Sequence, residues 1–266
     1  MSQTTRSEPV LRELDEGVLR LTLNRPEKKN AFDDPQWDAL REALDAARED
    51  PAVAVVVATG AGGDFSAGQD LGAFGAAEER ADGRPSGYFA CMESLAAFDK
   101  PLLAAVRGVG VGIGCTFLFH CDLVYVGESV RLRLPFVKLG LVPEAASSYL
   151  LQQVIGSQRA AELFYTAEWI DAARAVERGI AARAFPDDEV LEATLAKARE
   201  IARAPVSALQ ATKRTLKGVH AAGIRAALEA EDAGMKAQAG SPENLEAIRA
   251  FLEKREPDFA RFRRRG

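Results

Sequence analysis

Leu19, Leu21 and Leu23 alternate with Arg20 and Thr22, a period of two that predicts a half-buried strand. A polar, turn-rich stretch from Asn24 to Phe32 follows and carries Lys28 and Lys29. Asp34-Pro35 then predicts a helix start, the aspartate as N-cap and the proline in the first turn. Behind it Trp37, Leu40, Leu44 and Ala47 recur at helical spacing to about Arg48. Val53 to Thr59 (VAVVVAT) is short, β-branched and apolar throughout, as a strand covered on both faces would be.

Gly72 to Gly87 is rich in alanine, charge and glycine, has weak periodicity, and reads as a mobile or partly helical insertion. Tyr88 to Phe98 predicts a helix that Pro101 ends. Helices are expected over Ala145 to Val154 and Gln158 to Tyr165, and Asp171 caps a short one that Gly179 closes. Ile180 to Phe185 predicts a last strand. From Asp187 the pattern is helical, broken by Pro205 and Gly218, and Ser241-Pro242 opens a final helix with Leu245, Ile248 and Leu252 on one face. Strand, glycine-rich loop and helix follow each other near residues 53–90 and again near 102–120. The fold class expected is therefore α/β, with a core over residues 1–204 and a helical region over 205–266.

Composition narrows the classes. At 266 residues, 47% of them hydrophobic and 27% charged, the chain can bury a substantial core. A net charge of −5 and a pI near 5.3 argue against a nucleic-acid partner. Three cysteines (Cys91, Cys115, Cys121) form no CxxC pair, and only His120 and His220 accompany them, so no metal site is expected and a reduced compartment is. The N-terminal MSQTTRSEP holds no apolar signal segment. The apolar run from Leu102 to Val126 is broken by Arg107, glycines, His120 and Asp122, whereas a membrane span needs about 20 largely uninterrupted apolar residues. No membrane partner and a cytoplasmic location are the expectation.

The candidate chemistry concentrates between Lys100 and Glu144. Leu102 to Val106 leads into glycines at alternate positions, Gly108, Gly110, Gly112 and Gly114, which reads as a loop offering bare N–H groups. A GxGxxG fingerprint fails, because its sixth place falls on Ile113 or Cys115, and no P-loop or GxSxG elbow exists. A second glycine-flanked loop, Ser66 to Asp70, also follows a predicted buried strand. Two backbone N–H groups aimed at one point make an oxyanion hole for the charge that develops on a carbonyl oxygen. Glu144, after Pro143, reads either as a helix-capping acid or as a functional carboxylate in apolar company.

Phe65-Ser66-Ala67-Gly68-Gln69-Asp70-Leu71, then Ala105-Val106-Arg107-Gly108 through Gly114-Cys115, then Cys121-Asp122-Leu123, resemble the signature segments of the crotonase (enoyl-CoA hydratase/isomerase) superfamily. Leu23-Asn24-Arg25-Pro26 with Asn30-Ala31 resembles that family's N-terminal element, and the likeness runs from about Val10 to Leu252. It implies a spiral of β-β-α turns, a C-terminal helical trimerisation region (a homotrimer or a dimer of trimers), and a coenzyme A thioester as substrate, with no permanently bound cofactor. The implied oxyanion donors are the N–H groups of Gln69 and Ile113. The loop of Ser66, Ala67, Gly68, Asp70 and Leu71 is implied to line the adenine and pantetheine arm. Lys28 and Lys29 read as phosphate contacts or, equally, as part of a solvated loop.

Departures from the hydratase pattern bear on the reaction. Hydratases of the superfamily carry two glutamates, at places occupied here by Thr116 and by Phe136 after Pro135. Neither can activate water as a base near neutral pH. Leu134-Pro135-Phe136, Leu139-Gly140-Leu141-Val142-Pro143-Glu144 and Ser147-Ser148-Tyr149 resemble instead the Δ3,Δ2-enoyl-CoA isomerase branch, where one glutamate at the position of Glu144 is the base. Thr116, Phe136 and Leu139 are then expected to line the acyl pocket. Another crotonase-type enzyme, a hydratase or thioester hydrolase, and a non-catalytic acyl-CoA-binding protein stand as alternatives.

Overall fold

A tight turn at Glu16 and Gly17, with φ of +46° and +78°, folds Val10–Asp15 (β1) back onto Val18–Leu23 (β2) in antiparallel register. The structure is a computed structural model, and it describes residues 8–70 and 87–263. The alternation at Leu19, Leu21 and Leu23 is thus the second strand of a hairpin, whose first strand carries too few apolar residues to declare itself.

The chain continues through Asp34–Glu49 (α1), Val55–Gly60 (β3), Gly87–Ala97 (α2) and Leu102–Val106 (β4). Then come Val109–Val111 (β5), Ile113–Thr116 (α3), Leu123–Gly127 (β6) and Arg131–Arg133 (β7). Helices Ser147–Ile155 (α4), Ser157–Thr166 (α5) and Ala172–Glu177 (α6) precede the strand Arg183–Phe185 (β8). The remainder is helical: Val190–Ala202 (α7), Val206–Gly218 (α8), Ala221–Gln238 (α9) and Pro242–Leu252 (α10).

The main sheet has the order β1-β2-β3-β4-β6-β8, parallel from β2 onward, and β5 pairs with β7 in a small parallel sheet. The expected α/β class holds. Alternate residues of β3 face opposite layers, which accounts for its apolar run. Val56 and Ala58 join the large core with Trp37, Leu40 and Leu44 of α1, while Val55 and Val57 pack with Leu103 and Ala198 of α7. Among the described residues, no helix is long and apolar enough to cross a membrane.

Three local expectations change. The cap of α1 is Asp33, not Asp34: its carboxylate accepts from Gln36 N at 3.1 Å, and extended backbone at Asp33 leaves Asp34 as the first helical residue. The glycine run is not wholly a loop, because Val109–Val111 hydrogen-bonds to β7 as a strand. The stripe on α10 is not its buried face. Leu245 and Leu252 are 54% and 73% exposed, while Asn244, Glu246, Ala247 and Ala250 turn inward. The insertion expected at 72–87 lies almost wholly outside the described residues.

Candidate active site

Both glycine-flanked loops leave the same edge of the main sheet, one after β3 and one after β4, and they are stitched together. Phe65 N and Ser66 N both donate to Val109 O, and Val111 N donates to Ser66 O at 3.0 Å. The approach demands glycine in two places. A Cβ on Gly114 would sit inside the contact distance of Ser66 O, and one on Gly68, whose φ is +94°, would lie 2.6 Å from Val111 O. The first loop is anchored from below by Asn30, fully buried, whose amide donates to Ala61 O and Asp64 O at 2.9 and 2.7 Å.

Gln69 N and Ile113 N stand on these two loops, and among the described residues neither finds a protein acceptor. Most neighbouring amides are spent: Asp70 N goes to Phe32 O, Gly112 N to Arg133 O, and Cys115 N and Thr116 N to Gly112 O. Ile113 is the first residue of α3, so its N–H has no carbonyl in the preceding turn to reach. The Gln69 side chain is fixed by Trp37, whose indole N–H donates to its Oε1 at 3.0 Å.

Glu144 closes the site from the other side. Its Oε1 lies 3.7 Å from where a Cβ on Gly112 would be, beside the start of α3. The carboxyl is half-buried, and desolvation, followed by the negative charge of Glu231, pushes its pKa up to about 7. The helix-capping role does not materialise. α4 begins only at Ser147, and the amides of Ala146 and Ser148 donate instead to the two carboxylate oxygens of Glu231, at 2.7 and 2.8 Å. Ala145 and Ala146 are both left-handed, with φ of +60° and +55°, and delay the helix that their composition favours.

The other expected residues fall as follows. Thr116 is fully buried on α3, and among the described residues its hydroxyl has no hydrogen-bond partner. Phe136 is buried with its ring centroid 6.4 Å from that of Phe164, and the carbonyl of Leu139 is held by Asn244 Nδ2 at 2.7 Å. The Ser66 hydroxyl donates inward to Asn30 O and accepts from Gly68 N, so it shapes the loop from inside. Ala67 N donates to Lys29 O, and Asp70 pairs with Arg25 at 3.1 Å. Lys28, the last residue of a one-turn 3-10 helix, and Lys29 just after it are exposed beside this loop, Lys29 lying 3.5 Å from Asp64. Leu71 lies outside the described residues.

Groups with no expected role do appear at the site. Glu231, Tyr88 and His120 all bind the turn just after Glu144, and neither helical spacing nor motif marks them. Asp122 is structural: it accepts from Leu102 N and pairs with Lys213 at 2.8 Å. Desolvation pushes the thiols of buried Cys115 and half-buried Cys121 up to about 12, and that of buried Cys91 higher still, as packing residues rather than nucleophiles would be.

The family model described as enoyl-CoA hydratase/isomerase matches residues 13–262. This chain belongs to the enoyl-CoA hydratase/isomerase family. It is 37% identical over 245 residues to the 2,3-dehydroadipyl-CoA hydratase of Escherichia coli (strain K12), covering 91% of this chain and 94% of the relative. It is 31% identical over 255 residues to the 1,2-epoxyphenylacetyl-CoA isomerase of the same organism, covering 94% and 97%. The crystal structure of an enoyl-CoA hydratase/isomerase from Pseudoalteromonas atlantica T6c superposes with a TM-score of 0.90 at 35% identity, covering 94% of this chain and 99% of that one. The crotonase fold is therefore that of this family member.

Proposed function

We propose that this crotonase-family enzyme is a 3-enoyl-CoA isomerase that moves the double bond from C3=C4 to C2=C3 with Glu144 as its single base. The observation that carries the reading is the Glu144 carboxyl itself. It stands beside the start of α3, its pKa is raised to about 7, and it is relieved of capping duty because Glu231 takes the amides of Ala146 and Ser148. Gln69 N–H and Ile113 N–H bind the thioester oxygen and stabilise the dienolate formed when Glu144 removes a C2 proton. The same carboxyl then returns that proton to C4. A base whose pKa sits near the working pH suits both halves of this transfer.

Hydration needs a second group to position and activate water, and Thr116 and Phe136 supply no carboxylate at the places where hydratases of the superfamily have them. The substrate is a coenzyme A thioester; it arrives with its own cofactor arm, and no permanently bound group takes part. Its arm runs along the 66–70 loop, with Lys28 and Lys29 beside its phosphates. Thr116, Phe136 and Leu139 flank the acyl end. The same reading carries the homotrimer or dimer of trimers, with Leu216, Val219, Leu245, Phe251 and Leu252, all exposed on the C-terminal helices or just after one of them, as its apolar contact surface. Light scattering on the purified protein measures that state directly.

The 37% relative named as a hydratase supports a second reading, hydration of a 2-enoyl-CoA. One experiment separates the two. Purified protein is given 3-enoyl-CoA and, separately, trans-2-enoyl-CoA, and the absorbance of the conjugated thioester is followed. The isomerase gives a gain of conjugation with the first and no loss with the second. Loss of conjugation with the second and no turnover of the first would overturn the isomerase in favour of the hydratase.

A further inference from the structure

We infer that Glu231, on the C-terminal helix α9, is the positioning residue for the base: its carboxylate holds the left-handed Ala145-Ala146 turn that aims Glu144 at the oxyanion loops. The inference rests on the reading of Glu144 as the base, and it assigns the C-terminal helices an active-site task in addition to assembly.

Geometry carries it. Two consecutive non-glycine residues in the left-handed region cost about 1–2 kcal/mol each, so such a turn persists only where its surroundings impose it. Three elements do so. From α9 the buried Glu231 takes Ala146 N and Ser148 N, one on each oxygen. From α2 the Tyr88 hydroxyl accepts from Ala145 N at 2.9 Å. From the 3-10 turn Phe117–His120 the imidazole Nε2 donates to Ala145 O at 2.8 Å. Both polar backbone atoms of Ala145 and the N–H groups of Ala146 and Ser148 are thereby engaged.

The C-terminal helices grip the same segment along its length. A Cβ on Gly140 would meet the backbone of Asn244 at the start of α10, and one on Gly234 of α9 would touch the Val142 side chain. The Tyr149 hydroxyl bonds to His220 Nδ1 at 3.0 Å, and its ring fills the space a side chain at position 223 would need. Residues 139–149 thus lie on α9, α10 and the turn before α9, with Glu231 beneath their centre.

Charge adds a signature that simple scaffolding lacks. The described groups facing Glu144 and its turn are Glu231, Tyr88 and His120, with Lys217 bonded to His120 O from α8. Desolvation keeps Tyr88 neutral by raising its pKa and keeps His120 neutral by lowering its pKa to about 4. Glu231 is the described neighbour whose negative charge opposes ionisation of Glu144.

The test is Glu231→Gln, isosteric but uncharged and able to accept only one of the two amides well. The Glu144 carboxyl is titrated in the free protein by carboxyl-labelled NMR, with Glu144→Gln identifying its signal, and kcat and KM for 3-enoyl-CoA are measured against pH. The expected result is a midpoint for Glu144 at lower pH than in the wild type. The plateau kcat falls about 10–100-fold, as misplacement of a catalytic group does, and KM stays within about twofold. If Glu231→Gln does not fold, Ala146→Gly is added, since glycine adopts the left-handed turn without the carboxylate, and the same titration is read there. A folded variant in which Glu144 titrates as in the wild type and kcat is unchanged would overturn the inference. A shifted titration in a protein whose wild type turns over no 3-enoyl-CoA upholds the placement of Glu231 and overturns the isomerase reading instead.

Discussion

The two glycine loops and the Glu144 turn face each other across one candidate site, yet they reach their shapes by opposite means. The loops are shaped by glycine: Gly68 and Gly114 allow two backbones to touch, and the hydrogen bonds between them are almost all main-chain. The turn has alanines where glycine would be comfortable, and side chains from α2, α9 and the 117–120 turn hold it in place. A site built from glycine announces itself locally. A site built from distant clamps does not, and it leaves the base adjustable by residues far away in sequence.

The widest break in this symmetry is at the proposed base. Glu144→Gln keeps the shape and removes the proton acceptor, and should lower kcat for 3-enoyl-CoA by about 10²–10⁴-fold, the usual range for a general base. Next comes the loop side. Gly114→Ala drives a Cβ into Ser66 O, should cost about 1–3 kcal/mol of stability by overpacking, and should displace the Ile113 donor, lowering kcat by about 10²–10³-fold. Gly63→Ala, which meets nothing within 4 Å, is its matched control and should leave both unfolding and turnover unchanged.

A smaller effect separates the two regions by pH. Activity that needs Glu144 ionised should rise with pH through about 7, which a kcat/KM profile measures. Stability runs the other way. Because the folded pKa is raised from 4.5, the contribution of this carboxyl is complete below about 4.5 and is lost as pH rises through about 7. Glu144→Gln should therefore unfold at higher denaturant than the wild type at pH 8 and match it near pH 4. The ceiling of that difference is about 3 kcal/mol, reduced by the solvent that reaches a half-buried group. The smallest expected effect is at the strained turn, where Ala146→Gly should raise stability by up to about 1 kcal/mol in urea unfolding, the relief of a left-handed alanine set against the added chain entropy of glycine.

Much of the fold was legible in residue pattern because its determinants are local. Period two marked β2, a doubly apolar run marked β3, helical spacing marked α1, and the Ser241-Pro242 start of α10 stood where expected, its Ser241 hydroxyl accepting from Asn244 N. Glycine spacing likewise marked both loops, since close backbone approach excludes every larger residue. Periodicity failed on α10, because a helix with two lateral faces can bury alanine, Asn244 and Glu246 on one and leave Leu245 and Leu252 bare on the other.

What the amino-acid order determined alone was the family, the α/β core, the two loops and the place of Glu144, all features written in short segments. Tertiary structure alone decided how that glutamate is held and tuned. Alanine carries no mark of a left-handed backbone, and Glu231, 85 positions beyond Ala146, carries no mark of its partners until α9 lies against the turn. A buried hydrogen bond between residues so far apart is a fact of packing, and only the folded chain brings its two ends together.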